Sequence, residues 1–272
     1  MSKEILFLDL DGTLLNDRKE ITEGNRRAIG EALAAGRRIV VTSGRPLKSS
    51  LAQARRLGLA GEGCYVIAYN GASIYDCSAG EEIFRRTLDW EVLYQIFDEA
   101  RRREVYIHTY DHEDVVTEQA ERFANAQRYA AVLGLDCRVI QDVRRDLPEP
   151  PVKALFIDYQ CREPLEDMER WLQTALAGRA DCFFSSPWFL EVVPLGVSKG
   201  AALVELCNRL GIGTADAAAA GDEANDVSMI RAAGLGVAMA NAVPAAKEAA
   251  DYVTQRDNNH DGIEEVIRKF ML

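Results

Sequence analysis

The sequence predicts an α/β protein whose parallel-sheet core is split along the chain by an inserted α+β domain. Three observations carry that expectation. Short apolar runs alternate with helical patterns over residues 1–80, helices mix with adjacent strands over 81–187, and the alternation returns over 188–272. With 272 residues and 48% hydrophobic side chains, the chain exceeds the usual single-domain size and can bury a sizeable core.

Each element follows from its local pattern. Residues 5–10 form a first buried strand, and 22–35 have helical spacing, with Ile29 and Leu33 on one face and Gly36 as C-cap. Residues 38–42 are a second strand, Pro46 suits the first turn of a helix running to about Leu57, and 64–69 are a third strand. Asn70-Gly71 then reads as a tight turn into 72–75. In the insert, 82–86 read as an edge strand, 90–102 as a helix, 105–110 and 114–118 as strands, and 119–133 as a helix. The run His108 to Glu113 is a polar, aromatic-containing turn that reads as a solvated hairpin loop ahead of one that reaches a substrate. A proline-rich connection at 146–151 leads to strand, helix, strand, strand at 153–159, 164–176, 182–185 and 189–193, an antiparallel arrangement. A helix from Gly196 through Leu210 has Ser198 as N-cap. Residues 217–220, all alanine, are a strand of poor propensity; a helix to Ala233, a strand at 235–239 and a closing strand and helix complete the chain.

Composition narrows the function classes. A formal net charge of -11 leaves no basic surplus for nucleic acid, although local cations and a metal can still hold a small anion. The six cysteines are widely spaced with no C-x-x-C pair, and none of the three histidines, His108, His112 and His260, pairs with a cysteine at zinc-like spacing. No run approaches the ~20 apolar residues that span a bilayer. The expectation is a soluble cytoplasmic protein with reduced thiols, no membrane association and no protein partner.

The stretch Asp9-Leu10-Asp11-Gly12-Thr13 ends the first strand in two carboxylates. If the extended backbone lasts that far, Asp9 and Asp11 point the same way, and Gly12 lets the chain turn. Close carboxylates persist where a cation neutralises them or where one holds a proton. On these five residues alone, half a catalytic site and an Asp-Gly hairpin turn are both open.

Three further motifs follow in order: Ser43-Gly44-Arg45, then Lys199, then Gly221-Asp222-Glu223-Ala224-Asn225-Asp226. Together the four resemble the motifs of the haloacid dehalogenase (HAD) superfamily. The insert resembles the C2B-type cap of the Cof-type subfamily, which implies a Rossmann-like HAD core. The resemblance covers the whole chain and implies a phosphatase acting on a small phosphorylated metabolite, sugar phosphates first, with Mg²⁺ as cofactor. It makes Asp9 the nucleophile that forms an aspartyl-phosphate, and Asp11 the general acid and then base, a role that favours a raised pKa or at least proton exchange with the substrate oxygen. Ser43 would supply a hydroxyl, and the amides of Ser43 and Gly44 a phosphate cradle. Lys199 would neutralise the phosphoryl group and Asp9. Asp9, Asp222 and the backbone carbonyl of Asp11 would hold the metal. Asn225 would contact phosphate, and Asp226 would hold Lys199 or a metal-bound water; either could instead cap a helix.

Arg45 and Asn70 fall on loops at the carboxyl ends of strands. Arg45 either touches the leaving group or anchors a scaffold carboxylate, and Asn70 either touches the leaving group or is a turn residue. Two rivals stay open: a phosphomutase of the same superfamily, and a noncatalytic metabolite-binding or regulatory protein.

Overall fold

The computed structural model describes residues 2–111 and 114–272. His112 and Glu113, at the tip of the loop expected from the sequence, lie outside the described residues. The chain forms two compact units, one of residues 1–84 with 198–272 and one of 85–197.

The first unit opens with β1 (Ile5–Asp9), α1 (Glu23–Ala34), β2 (Arg38–Thr42), α2 (Leu47–Leu57), β3 (Cys64–Ala68), β4 (Ser73–Asp76) and β5 (Glu81–Arg85). β1 is buried along its whole length, as its unbroken apolar run requires of a strand covered on both faces. Helix α2 starts after Pro46 and ends at Gly58, whose φ of 75° is the left-handed conformation that glycine adopts without strain.

The second unit contains α3 (Trp90–Arg103), β6 (Ile107–Asp111), β7 (Asp114–Thr117), α4 (Phe123–Leu133), β8 (Cys137–Val139), α5 (Val143–Asp146), β9 (Ala154–Ile157), α6 (Glu163–Ala175), β10 (Ala180–Ser186) and β11 (Phe189–Pro194). Among the described residues its six strands run in the order β10-β11-β9-β6-β7-β8. The β7–β8 pair is parallel, so the sheet is mixed rather than wholly antiparallel as the sequence suggested. Strand β8 is short and partly exposed, too weak a pattern to read in advance. His108 and Tyr110 lie in β6 and are buried, which corrects the solvated-loop expectation for that end of the run.

The chain then returns to the first unit through α7 (Lys199–Leu210), β12 (Ala217–Gly221), α8 (Val227–Ala232), β13 (Leu235–Ala238), α9 (Pro244–Ala249), β14 (Tyr252–Val253) and α10 (Gly262–Phe270). Among the described residues the eight strands of this unit run β14-β13-β12-β1-β2-β3-β4-β5. From β14 to β3 every pair is parallel, and β3–β4 is antiparallel. Strand β5 thus forms the edge of the first sheet, and β11 is paired in the second, so both unit boundaries fall later than 80/81 and 187/188. On one face, Ile5, Phe7, Val40 and Ile67 pack with Leu203 and Leu206 of α7 and Met229 of α8. Strand β12, four alanines followed by Gly221, is fully buried. A Cβ on Gly200 would come 2.3 Å from the Ser228 carbonyl, so glycine there sets the close contact between α7 and α8.

Candidate active site

Register places the chemistry at one end of the sheet. Asp9 closes β1 opposite Thr42 of β2, and Leu8 lies level with Ala220 of β12, so Asp9, Ser43 and Asp222 follow from the carboxyl ends of three adjacent strands. Ligands of open α/β sheets bind at this edge.

Lys199, the first residue of α7, reaches into this end with no exposed side-chain surface. Its Nζ donates to Asp9 Oδ1 at 2.5 Å and to Asp226 Oδ1 at 2.6 Å. The Ser198 side chain caps the helix by accepting from Ala201 N at 3.1 Å, as expected. Asp226 does both jobs that were left open: its other oxygen accepts from the amides of Asp222 and Glu223, at 2.9 and 3.0 Å, while it holds Lys199. Asp222 Oδ1 accepts from the Thr13 hydroxyl at 2.7 Å. Thr13 belongs to the first motif, but nothing in the sequence assigned it a partner.

Ligand atoms of Asp9, Asp222 and Asp226 all lie within 4.8 Å of one another. Both oxygens of Asp226 are engaged, so Asp9 and Asp222, each with an oxygen that no described residue hydrogen-bonds, are the pair able to hold a cation. Burial pushes the Asp9 carboxyl up to about 8 against the pull of Lys199, with Asp226 and Asp222 adding to the rise. Burial likewise raises Asp222 to about 6. Burial works against the Lys199 charge, but Asp9 and Asp226 outweigh it and hold the ammonium above its ordinary value. Three carboxylates facing one ammonium leave unbalanced negative charge, and an all-oxygen donor set of this kind fits a hard divalent cation.

Asp11 is placed differently from the expectation. The backbone leaves β1 after Asp9, with Leu14 N donating to Asp9 O, so the Asp11 carboxylate does not join the buried cluster. Arg45 grips it, with Nε to Oδ2 at 3.1 Å and Nη2 to Oδ1 and Oδ2 at 3.0 and 2.8 Å; Lys19 Nζ adds a bond to Oδ1 at 2.8 Å. Burial would raise the Asp11 carboxyl, but Lys19 and Arg45 prevail and hold it below its usual value, the opposite of the raised pKa expected for it. Arg45 thus anchors a carboxylate, but that of Asp11 in the first motif rather than one of the scaffold. Lys19 was missed because it lies in an irregular turn with no periodicity to mark it.

The second motif also departs in detail. Ser43 N donates to Ile67 O at 2.9 Å, within the sheet, so its amide is not available for a phosphate cradle. The Ser43 hydroxyl accepts from Arg45 N at 3.1 Å and keeps its own proton to donate. Asn70 N donates to Ser43 O and Tyr69 N to Arg45 O, which ties this loop to the β3–β4 turn. Tyr69, Asn70 and Gly71 all take positive φ, at 51°, 56° and 110°. Asn70 is therefore a turn residue, but one turned toward the motifs: Asn225 Nδ2 donates to its Oδ1 at 3.1 Å, and a Cβ on Gly44 would meet that oxygen at 2.9 Å. The structure thus draws Asp9, Lys199, Asp222 and Asp226 into one cluster. It links Ser43, Gly44, Asn70 and Asn225 into a second, and sets Asp11 with Arg45 and Lys19.

Residues 6–267 match the family model described as haloacid dehalogenase-like hydrolase. YxeH of Bacillus subtilis, a phosphatase by name, is 34% identical over 271 residues, covering 99% of this chain and 98% of its own. YcsE of the same organism, named 5-amino-6-(5-phospho-D-ribitylamino)uracil phosphatase, is 30% identical over 277 residues, covering 99% and 96%. A crystal structure of a haloacid dehalogenase-like hydrolase from Bacteroides thetaiotaomicron superposes with a TM-score of 0.87 at 35% identity, covering 98% of this chain and 99% of that one. The chain belongs to the haloacid dehalogenase-like hydrolase family, and it is a phosphatase.

Proposed function

We propose that this phosphatase acts in the cytoplasm on small phosphorylated metabolites, sugar phosphates first among them. It would use Mg²⁺ and pass through an aspartyl-phosphate on Asp9. The observation that carries the reading is the buried Lys199, bonded at once to Asp9 and Asp226 beside the carboxylate of Asp222. A phosphate monoester resists attack because it is anionic, so catalysis needs a positioned nucleophile and neutralised equatorial oxygens.

Lys199 pairs the Asp9 carboxylate and holds it in place, and one Asp9 oxygen attacks phosphorus as the bond to the ester oxygen breaks, the other being left for the cation. Asp11, once Arg45 and Lys19 release it, protonates the leaving alkoxide and later takes a proton from the water that opens the aspartyl-phosphate. The Ser43 hydroxyl, the Gly44 backbone and Asn225 receive the phosphoryl oxygens, with Asn70 holding Asn225 in place. Mg²⁺, held by Asp9, Asp222 and the backbone carbonyl of Asp11, would supply the remaining positive charge when bound. The name of YcsE describes a phosphorylated polyol chain, which supports a sugar-like leaving group.

A phosphate-release screen over phosphorylated sugars, nucleotides and cofactors tests the reading. It should rank sugar phosphates first, with activity lost in chelator and restored by Mg²⁺. Activity indifferent to chelator, or a nucleotide ranked first, would contradict the corresponding part.

A further inference from the structure

Lys19 and Arg45 converge on a single carboxylate at the exposed edge of the site. The side chains of Lys19, Asp11 and Arg45 are 59%, 39% and 20% exposed. Two cations against one anion leave a local positive surplus, on a chain whose formal net charge is -11. Lys199 cannot supply that surplus elsewhere, because it is already matched by Asp9 and Asp226.

Both cations are delivered by fixed backbone. Arg45 N donates to Ser43 Oγ, and its carbonyl accepts from Tyr69 N at 2.9 Å. Lys19 has a φ of 61°, a left-handed conformation that costs energy for a side-chain-bearing residue. The turn that imposes it is closed by Asn16, whose Oδ1 accepts from the amides of Arg18 and Glu20, while Asn16 N donates to Glu20 O. Only the two side chains remain to move. The Lys19–Asp11 pair is open to solvent and adds little to stability, while Arg45 holds Asp11 through a part-buried bidentate pair that an arriving carboxylate or phosphate can replace with the same two acceptors. Proton transfer by Asp11 also requires that it leave these partners.

We propose that Lys19 and Arg45 form a subsite for a second anionic group on the substrate, a carboxylate or a second phosphate close to the scissile phosphate ester. Binding of that group draws both cations off Asp11 and frees it for proton transfer. The preferred substrates within the phosphorylated-metabolite class are thus those carrying two anions. The inference rests on the phosphatase reading and on Asp11 as the proton-transfer group.

Matched substrate pairs that differ in the second anion test it, with kcat/KM measured for wild type, Lys19→Ala and Lys19→Arg. Phosphoglycerate against glycerol phosphate probes a carboxylate, and a hexose bisphosphate against its monophosphate probes a second phosphate. Wild type should prefer the doubly anionic member of at least one pair by about tenfold or more, as charge-assisted hydrogen bonds allow. Lys19→Ala should collapse that ratio, chiefly through KM, and Lys19→Arg should restore most of it. The pair that shows the preference identifies the anion. Equal rates within both pairs, a preference that survives Lys19→Ala, or an equal loss on every substrate including p-nitrophenyl phosphate would overturn the subsite. A wild-type protein that cleaves nothing, p-nitrophenyl phosphate included, would instead remove the phosphatase reading beneath it.

Discussion

Lys199 sits with no exposed side-chain surface between two carboxylates, so its removal has a structural cost as well as a chemical one. Breaking a buried ion pair from one side leaves uncompensated charge, and Lys199→Ala should lower stability by about 3 kcal/mol by denaturant titration while abolishing turnover. Ser43→Ala removes one acceptor for Arg45 N and one donor to the phosphoryl group. It should cost about 1 kcal/mol and leave measurable activity. A Ser43→Ala protein as inactive as Lys199→Ala would mean that the hydroxyl, not the buried cation, dominates. The placement of these residues at one end of the sheet was legible because each motif combines a rare residue order with a strand end or helix start. What could not be read was pairing. Nothing in the spacing says that the Ser43 amide belongs to the sheet, or that Lys19 folds back onto Asp11.

The turn after β1 is where an element decides the site. Gly12 has a φ of 84°, and a Cβ there would lie 2.2 Å from Asp222 Oδ2. Gly12→Ala should therefore displace the Asp222 carboxylate, weakening divalent-cation affinity tenfold or more and lowering kcat, as in sites where a small misplacement is costly. Calorimetric titration with Mg²⁺ checks this, and unchanged affinity would show that the turn tolerates the side chain. Elements with strong patterns, such as β1, α1 and α7, lie close to where the sequence puts them. Strand β12 is the instructive case: four alanines have weak strand propensity, yet burial between β1 and β13 selects small side chains. Strand β8 and helix α5 escaped because three or four residues carry too little periodicity.

At the scale of the whole molecule, the acidic cluster couples folding to pH and to cations. Burial raises the carboxyls of Asp9 and Asp222, to about 8 and about 6, above the ordinary 3.8. The native state then binds these protons more tightly than the unfolded chain. Their stabilising contribution is complete below about pH 4 and is lost as pH rises toward 8. A divalent cation competes for the same oxygens, so the rise in melting temperature on adding Mg²⁺ should be larger at pH 8 than at pH 5.5. A larger rise at the acid value would contradict the cluster as the cation site. The two-unit organisation was legible from the change in pattern, but its boundaries were not, because β5 and β11 look alike as isolated strands and only pairing assigns each to its sheet. The central claim, attack by Asp9, is tested most directly by acid-quenching the protein within one turnover of a labelled phosphate monoester and mapping the label. The account predicts a base-labile phosphoryl group on the peptide containing Asp9, with Asp9→Asn folded, unlabelled and inactive. Phosphate release without labelled protein, or an Asp9→Asn protein with near-normal turnover, would contradict it.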